Sequence, residues 1–186
     1  SPQKGYEWFG GNPGHEALTA YGLLQFIDMK GVYRDVDDGM ITRTAAWLKS
    51  RRDGKGGFQR NARALDSFGA ASPEVTNAYI MFALSEAGLT SGMQEELQVQ
   101  SALASSTQDA YLLALATNTL LNTESLKAQG QQAARRLAGL QDASGAWLKA
   151  SQSITRSGGV SLHVETTALA TMALVKAGGA DAKVRK

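Results

Sequence analysis

Residues 18–24, LTAYGLL, form a segment that recurs in degenerate form three times along the chain. The later copies are VTNAYIMF at 75–82, DAYLLAL at 109–115 and ETTALATM at 165–172. Polar segments and glycine-rich loops separate the four copies. One apolar helix type that returns at intervals, with polar helices between, indicates an array of helical hairpins.

The spacing of apolar residues predicts a helix around each copy and a further helix in each interval. Mostly i, i+3 steps predict the first helix over 16–29. The others are predicted over 40–52, 72–87, 93–105, 109–122, 124–141 and 164–177. Residues 58–72 indicate no more than a short helical turn. No alternating β-branched run is bounded by turn residues, so no strand is predicted and the chain is expected to be all-α.

The predicted helices alternate in character along the chain. Those near residues 18, 76, 111 and 168 are apolar with few charges, whereas those near 42, 95 and 130 are polar on most turns. This alternation favours an α/α toroid, in which an inner layer of apolar helices is surrounded by an outer layer of helices that expose one face to water. Inner helices occur at both ends of residues 1–186. We therefore expect one incomplete toroid domain, either a fragment of a larger domain or one that self-associates through its open flanks.

A second repeat lies in the loops. WLKSRRDGKGGF at 47–58 resembles RLAGLQDASGAW at 136–147, and each stretch runs from a helix end through a polar turn to an aromatic residue. We expect each aromatic side chain to fold back and fill the space between neighbouring hairpins.

Composition excludes several classes of function. Of the 186 residues, 43% are hydrophobic and 19% charged, which is typical of a globular domain. The formal net charge of +2 and the scattered basic residues do not favour nucleic-acid binding. The absence of cysteine excludes disulfides, thiolate nucleophiles and cysteine metal sites within these residues. No apolar run approaches the roughly 20 residues of a membrane span.

The ordered set of motifs resembles the thioester-containing domain of the alpha-2-macroglobulin and complement family, in its bacterial form. The segments that carry this resemblance are GHEALTAY at 14–21, the 47–58 loop, VTNAY at 75–79 and VETT at 164–167. The resemblance covers nearly the whole chain. It implies a parent protein that traps proteases: a protease cuts a bait region, and an internal Cys–Gln thioester then acylates the attacker.

The chain lacks the family's thioester motif, Cys-Gly-Glu-Gln or a relative, and holds no cysteine at all. A fragment that begins after the motif explains this absence, and so does a parent that never had the bond. The resemblance then implies a non-catalytic scaffold without cofactor or metal. Its partners would be the other domains of the parent and the target proteases. The implied location is periplasmic, cell-envelope or secreted, with any export signal upstream of Ser1.

Two sets of site residues follow from the resemblance. A family position just after the Gly-Phe pair influences acyl transfer, and here it falls on Asp66. Because a carboxylate does not replace the histidine that some members use, direct attack by amines is the implied chemistry. Asp66 also fits a turn or helix cap. The matched Tyr21, Tyr79 and Tyr111 are expected either in the core or as the lining of the thioester pocket.

Other polar groups allow alternative functions. Asp35-Val36-Asp37-Asp38 matches the Asp-x-Asp-Asp pattern of class II terpene cyclases, which are also α/α toroids, but it also fits the cap of a helix or a cation site. His15 and His163 are each expected just before an inner helix, in polar contacts there. With Glu16 and Glu165 nearby, the pair could also bind zinc if the fold brought it together, although no Asp or Cys that would complete the site is evident. The alternatives to a macroglobulin scaffold are a terpene cyclase or prenyltransferase-type enzyme and a helical-repeat interaction module.

Overall fold

The computed structural model describes residues 5–9, 13–61 and 71–178, and most of this part of the chain is helical. It holds seven α-helices: α1 (Glu16–Val32), α2 (Asp38–Ser50), α3 (Pro73–Glu86), α4 (Gln94–Ser106), α5 (Ala110–Leu121), α6 (Lys127–Gly139) and α7 (Gly159–Lys176). A 3₁₀ turn, Glu124–Leu126, leads into α6. These described ranges contain no strand, so the all-α prediction is confirmed.

Local signals account for most of the helix ends. The Ser72 side chain caps α3 by accepting from the Val75 backbone N–H, and Pro73 occupies the first turn, where no amide donor is needed. The same helix ends at Gly88, whose φ of 68° closes the last turn as few other residues can. The start of α7 was predicted five residues too late. Gly159 begins the helix, so His163 lies inside α7 and not before it.

Two layers of helices build the fold, as their alternating character predicted. The inner helices α1, α3, α5 and α7 pack side by side in that order, and α2, α4 and α6 lie against them. Every residue of α5 is buried, whereas each of the outer helices α2, α4 and α6 buries only four. The outer helices therefore show most of their surface to water.

The inner layer is curved. Residues of α1, α3, α5 and α7 all line one cavity, so the first and last of these helices face a common space. A straight row of four helices would keep α1 and α7 apart. The curvature confirms the predicted toroid arrangement.

The terminal inner helices carry exposed apolar side chains. These residues are Tyr21, Met29 and Val32 on α1, and Val160, Val164, Met172 and Val175 on α7. The residues that the structure describes supply no further inner helix against these two flanks. Exposed apolar side chains of this kind are typical of a face that another element covers.

One position in each repeat anchors a loop to an inner helix. The residue two places before the tyrosine position accepts a backbone N–H from a preceding or following loop. The four bonds are Tyr6 to Thr19 (2.8 Å), Phe58 to Asn77 (3.2 Å), Ser151 to Asp109 (2.8 Å) and Trp147 to Thr167 (3.1 Å). Phe58 and Trp147 are buried in the core, as the loop repeat predicted. We call Thr19, Asn77, Asp109 and Thr167 the anchor residues.

The two repeated loops share a turn built on an aspartate. Asp53 Oδ1 accepts from the backbone N–H groups of Lys55 and Gly57, and Asp142 Oδ1 accepts from those of Ser144 and Ala146. The Lys55 N–H holds the pKa of the Asp53 carboxyl below its usual range. The Ser144 hydroxyl has the same effect on the pKa of Asp142. Both carboxylates therefore stabilise their turns in the ionised form.

Two arginines at the end of α2 tie it to other helices. Arg51 Nε donates to Glu16 Oε1 of α1 at 2.9 Å, and Arg52 Nε donates to Glu96 Oε1 of α4 at 2.6 Å. The Glu96 side chain is fully buried, and its Oε2 has no hydrogen-bond partner. The Arg52 guanidinium is therefore the one cation that compensates this buried carboxylate within the described ranges.

Candidate functional site

The cavity enclosed by the inner helices has a volume of about 420 Å³. We call it the axial cavity, and its walls come from all four inner helices and from the loop before α7. The lining residues are Tyr21, Leu24, Gln25, Ile27 and Asp28 of α1, Tyr79, Phe82 and Glu86 of α3, Tyr111 of α5, Ile154 and Thr155 of the loop, and Glu165, Ala168, Leu169 and Met172 of α7. This size and this mostly apolar lining are typical of ligand sites.

The structure brings together the three tyrosines that the sequence singled out. Tyr21, Tyr79 and Tyr111 all line the axial cavity. Tyr79 and Tyr111 are buried, whereas Tyr21 is 43% exposed at the edge. Burial raises the pKa of both Tyr79 and Tyr111 above the usual range, so their phenols stay protonated as neutral donors. Whether this wall adjoins a thioester stays a prediction.

A carboxylate of α7, Glu165, lies beside Tyr111 of α5. Glu165 of α7 accepts from the Tyr111 hydroxyl at 3.1 Å and from the Thr155 hydroxyl at 2.7 Å. The Tyr111 oxygen in turn accepts from the Ile154 backbone N–H at 3.2 Å. This network fixes the loop before α7 over one end of the axial cavity. Near the end of that loop, Arg156 has a φ of 58°, a conformation that non-glycine residues rarely adopt.

A second carboxylate and a lysine meet at the other end. Lys176 Nζ forms an ion pair with Glu86 Oε1 and lies 5.8 Å from the centroid of the Phe82 ring. The Asn122 side-chain amide also donates to Glu86 Oε1, at 2.8 Å. The Lys176 ammonium, held by a carboxylate and an aromatic ring that both line the cavity, thus lies next to this wall.

The predicted acyl-transfer position, Asp66, lies outside the described residues, so its role stays a prediction. The segment that leads toward it is firmly held. Glu16 Oε2 accepts from the Asn61 backbone N–H at 3.1 Å, and the Asn61 side-chain amide donates to the Gly14 carbonyl at 3.0 Å. These contacts place residues 58–61 against the start of α1.

The acidic run at 35–38 lies away from the axial cavity. Asp37 caps α2 by accepting from the Gly39 N–H and bonds the Arg43 guanidinium, which holds the pKa of Asp37 below its usual value. Asp38 forms an exposed ion pair with Lys30. The capping interpretation is therefore confirmed for Asp37. Neither these residues nor the exposed Asp35 supply the buried, protonated acid that a class II cyclase needs.

Within the part of the chain that the structure describes, the two histidines belong to no cluster of metal ligands. His15 is buried and caps α1, since its Nδ1 accepts from the Leu18 N–H at 3.3 Å. His163 lies within α7. Across residues 5–9, 13–61 and 71–178, no group of three or more potential ligands comes together around a metal position. In the same ranges, none of the helices combines the length and the apolar character needed to cross a bilayer.

Sequence reasoning missed Glu165 as a site residue, although the signal was present. Glu165 precedes Leu169 by four residues, and Leu169 occupies the place of the tyrosines in the last repeat. Residues four apart share a helix face, so Glu165 is expected on the same face of α7 as Leu169, which is the face that the tyrosines occupy in the other repeats. Ile154 and Thr155 had no such signal, because a loop follows no period.

Comparison with known proteins agrees with the geometry. A family model described as the A-macroglobulin TED domain matches residues 1–185. A search of curated proteins finds no match to the chain. The match spans all the described helices, and the curved double layer of helices is the fold that the sequence motifs implied. The chain therefore belongs to the A-macroglobulin TED domain family, the thioester-containing domains of the macroglobulin and complement proteins.

Proposed function

We propose that this chain is the helical scaffold of the thioester domain in a bacterial alpha-2-macroglobulin-like protease inhibitor, and that it is itself non-catalytic. The single observation that carries the proposal is the family match over residues 1–185. The curved inner layer supports it, because the four inner helices frame a common axis at which other parts of a toroid would meet.

The proposal assigns the reactive bond to another part of the parent protein. With no cysteine in residues 1–186, any Cys–Gln thioester must come from elsewhere in the parent. Tyr21, Tyr79 and Tyr111 would then form the apolar wall that keeps water from it. Asp66 would leave the thioester open to direct attack by lysine amines of the trapped protease, because a carboxylate does not serve as the acyl carrier that a histidine does.

The exposed flanks of α1 and α7 are proposed to receive further inner helices of the same domain. Their apolar side chains support this, since water-exposed rows of Val and Met are unfavourable. In isolation, the same flanks would favour self-association. The other domains of the parent and the target proteases are the proposed partners. A periplasmic, cell-envelope or secreted location is proposed for the parent inhibitor, since macroglobulins are typically extracellular or secreted.

The test uses the full parent protein. Thiol titration before and after methylamine treatment should show one new thiol, since an amine opens a thioester and frees its cysteine. A protease should then become covalently attached to the parent after bait cleavage. Absence of the new thiol would remove the acyl-transfer part of the proposal, and unhindered protease activity would remove the inhibitor function.

A variant of the acyl-transfer position refines the test. Asp66→His should shift transfer from labelled putrescine, an amine, toward labelled glycerol, an alcohol. Asp66→Asn is the matched control and should keep the preference for amines. Equal glycerol incorporation by both variants would contradict the role assigned to Asp66.

A further inference from the structure

Within the described residues, two of the three carboxylates of the axial cavity have no cation beside them. The described residues that line it include the carboxylates Asp28, Glu86 and Glu165, and none of them is a lysine, arginine or histidine. Glu86 has the Lys176 ammonium beside it. Glu165 has only the neutral donors Tyr111 and Thr155, and Asp28 makes no hydrogen bond or ion pair within the described ranges.

The two ends of the cavity repeat one arrangement of groups. At one end, the Glu86 carboxylate and the Phe82 ring flank the Lys176 ammonium. At the other end, the Glu165 carboxylate accepts from the Tyr111 hydroxyl at 3.1 Å, and Tyr79 lines the same space. A carboxylate beside aromatic rings is a favourable setting for a cation. No cation of the described chain lies beside Glu165.

We propose that the axial cavity binds a small organic cation with an apolar body, such as an aryl or branched-alkyl ammonium compound. The ammonium group lies against Glu165 and beside Tyr79, both of which line the cavity. The apolar body packs along Leu24, Leu169 and Met172, which line the same space. A volume of about 420 Å³ accommodates a ligand of this kind. Asp28, at the edge, adds attraction for a positive charge.

Charge and shape together select this ligand class. An anion would face two uncompensated carboxylates, and a neutral apolar molecule would leave Glu165 with no opposite charge while it loses water. A strongly hydrated cation such as Na⁺ would gain nothing from the leucine and methionine walls. The inference does not rest on the macroglobulin proposal, because it concerns only groups within this chain.

Titration calorimetry on the whole chain tests the proposal with three probes of similar shape. Phenyltrimethylammonium should bind with one site per chain, whereas its neutral isostere tert-butylbenzene and the anion benzenesulfonate should bind at least about tenfold more weakly. Equal affinity for the cation and its neutral isostere would overturn the proposal, because the charge would then contribute nothing. No binding of the cation at millimolar concentration would also overturn it.

Variants locate the site. Glu165→Gln should weaken phenyltrimethylammonium binding about tenfold, and Asp28→Asn should weaken it less. Glu74→Gln removes an exposed carboxylate of α3 outside the cavity and should leave the affinity unchanged. Because Glu165→Gln also disturbs the Tyr111 network, its far-UV spectrum and melting temperature are compared with those of the unaltered chain. If Glu165→Gln unfolds, the Asp28→Asn variant provides the test. If both Asp28→Asn and Glu74→Gln bind phenyltrimethylammonium as tightly as the unaltered chain, the proposed site in the axial cavity is wrong.

Sedimentation separates this proposal from occupation by a second copy. If the cation and a second copy of the chain occupy the same space, the cation should dissociate a dimer that forms through α1 and α7. A dimer that persists while the cation fails to bind would overturn the proposal. Neither result depends on a thioester or on protease trapping, so failure here and failure of the proposed function are distinguishable.

Discussion

Removal of Arg52 should destabilise the fold far more than removal of an exposed lysine from a similar ion pair. Glu96 is fully buried and its Oε1 lies 2.6 Å from Arg52 Nε, while its Oε2 has no partner. Arg52→Met keeps most of the apolar length of the side chain but removes the charge. The variant therefore leaves a carboxylate in the interior with neither water nor a cation beside it.

The magnitude follows from burial. Breaking a buried ion pair by removing one partner costs about 3–5 kcal/mol, because the other charge stays desolvated. For a domain of 186 residues, each kcal/mol lowers the melting temperature by about 2–4 °C, so the melting temperature should fall by roughly 6–20 °C. Lys30→Met is the matched control. Its pair with Asp38 leaves the two side chains 48% and 75% exposed, and its loss should stay below about 1 kcal/mol.

Urea denaturation followed by circular dichroism measures the free energy of unfolding of each variant. The double variant Arg52→Met/Glu96→Leu should regain most of the loss, since it buries no charge. The reasoning would be refuted if Arg52→Met lost no more stability than Lys30→Met. It would also fail if the double variant were as unstable as Arg52→Met alone, because the cost would then lie in packing.

Three further predictions concern the repeated loops. Trp147→Ala should lower the free energy of unfolding by about 3–5 kcal/mol in urea denaturation, because it empties a buried site; a loss below about 1 kcal/mol would contradict the packing role. The pKa values of Asp53 and Asp142 are lowered in the folded state, so each stabilises the fold above about pH 4 and loses that contribution as the pH falls further. In the double variant Asp53→Asn/Asp142→Asn, the free energy of unfolding should therefore fall less steeply as the pH is lowered below about 4. The same steepness as in the unaltered chain would contradict this. Gly56→Ala should cost about 2–4 kcal/mol, because φ is +82° and a Cβ would lie 2.6 Å from a neighbouring methyl, whereas Gly54→Ala, at φ +71° in open space, should cost only about 1 kcal/mol in the same assay.

The sequence alone predicted the elements whose signals are periodic or sharply bounded. The order and type of the helices followed from the LTAY-like repeats, and the Pro73 and Gly88 signals placed α3 to within a residue or two. The two layers followed from counting charges on alternate helices. The start of α7 was wrong because Val160–His163 continue the helix without a capping side chain to mark its first turn.

The site was predicted only where it repeats. Tyr21, Tyr79 and Tyr111 share a register, so their convergence could be anticipated from spacing. Thr155 comes from a loop and reaches the cavity through a hydrogen bond to Glu165, a contact that depends on the tertiary position of α7. Partnerships of that kind join residues far apart in sequence and leave no local pattern. Asp66 stays a prediction because it lies outside the described residues.

The anchor residues have a consequence for how the domain comes apart. Thr19, Asn77 and Thr167 each hold the segment that leads into their own helix. Asp109, the N-cap of α5, instead accepts from Ser151 in the loop before α7. Arrays of repeats often fray from their ends, one unit after another. Here the Asp109–Ser151 bond joins the start of α5 to the loop before α7, so the loss of that loop also removes a contact of α5, and these two units should melt in one cooperative step.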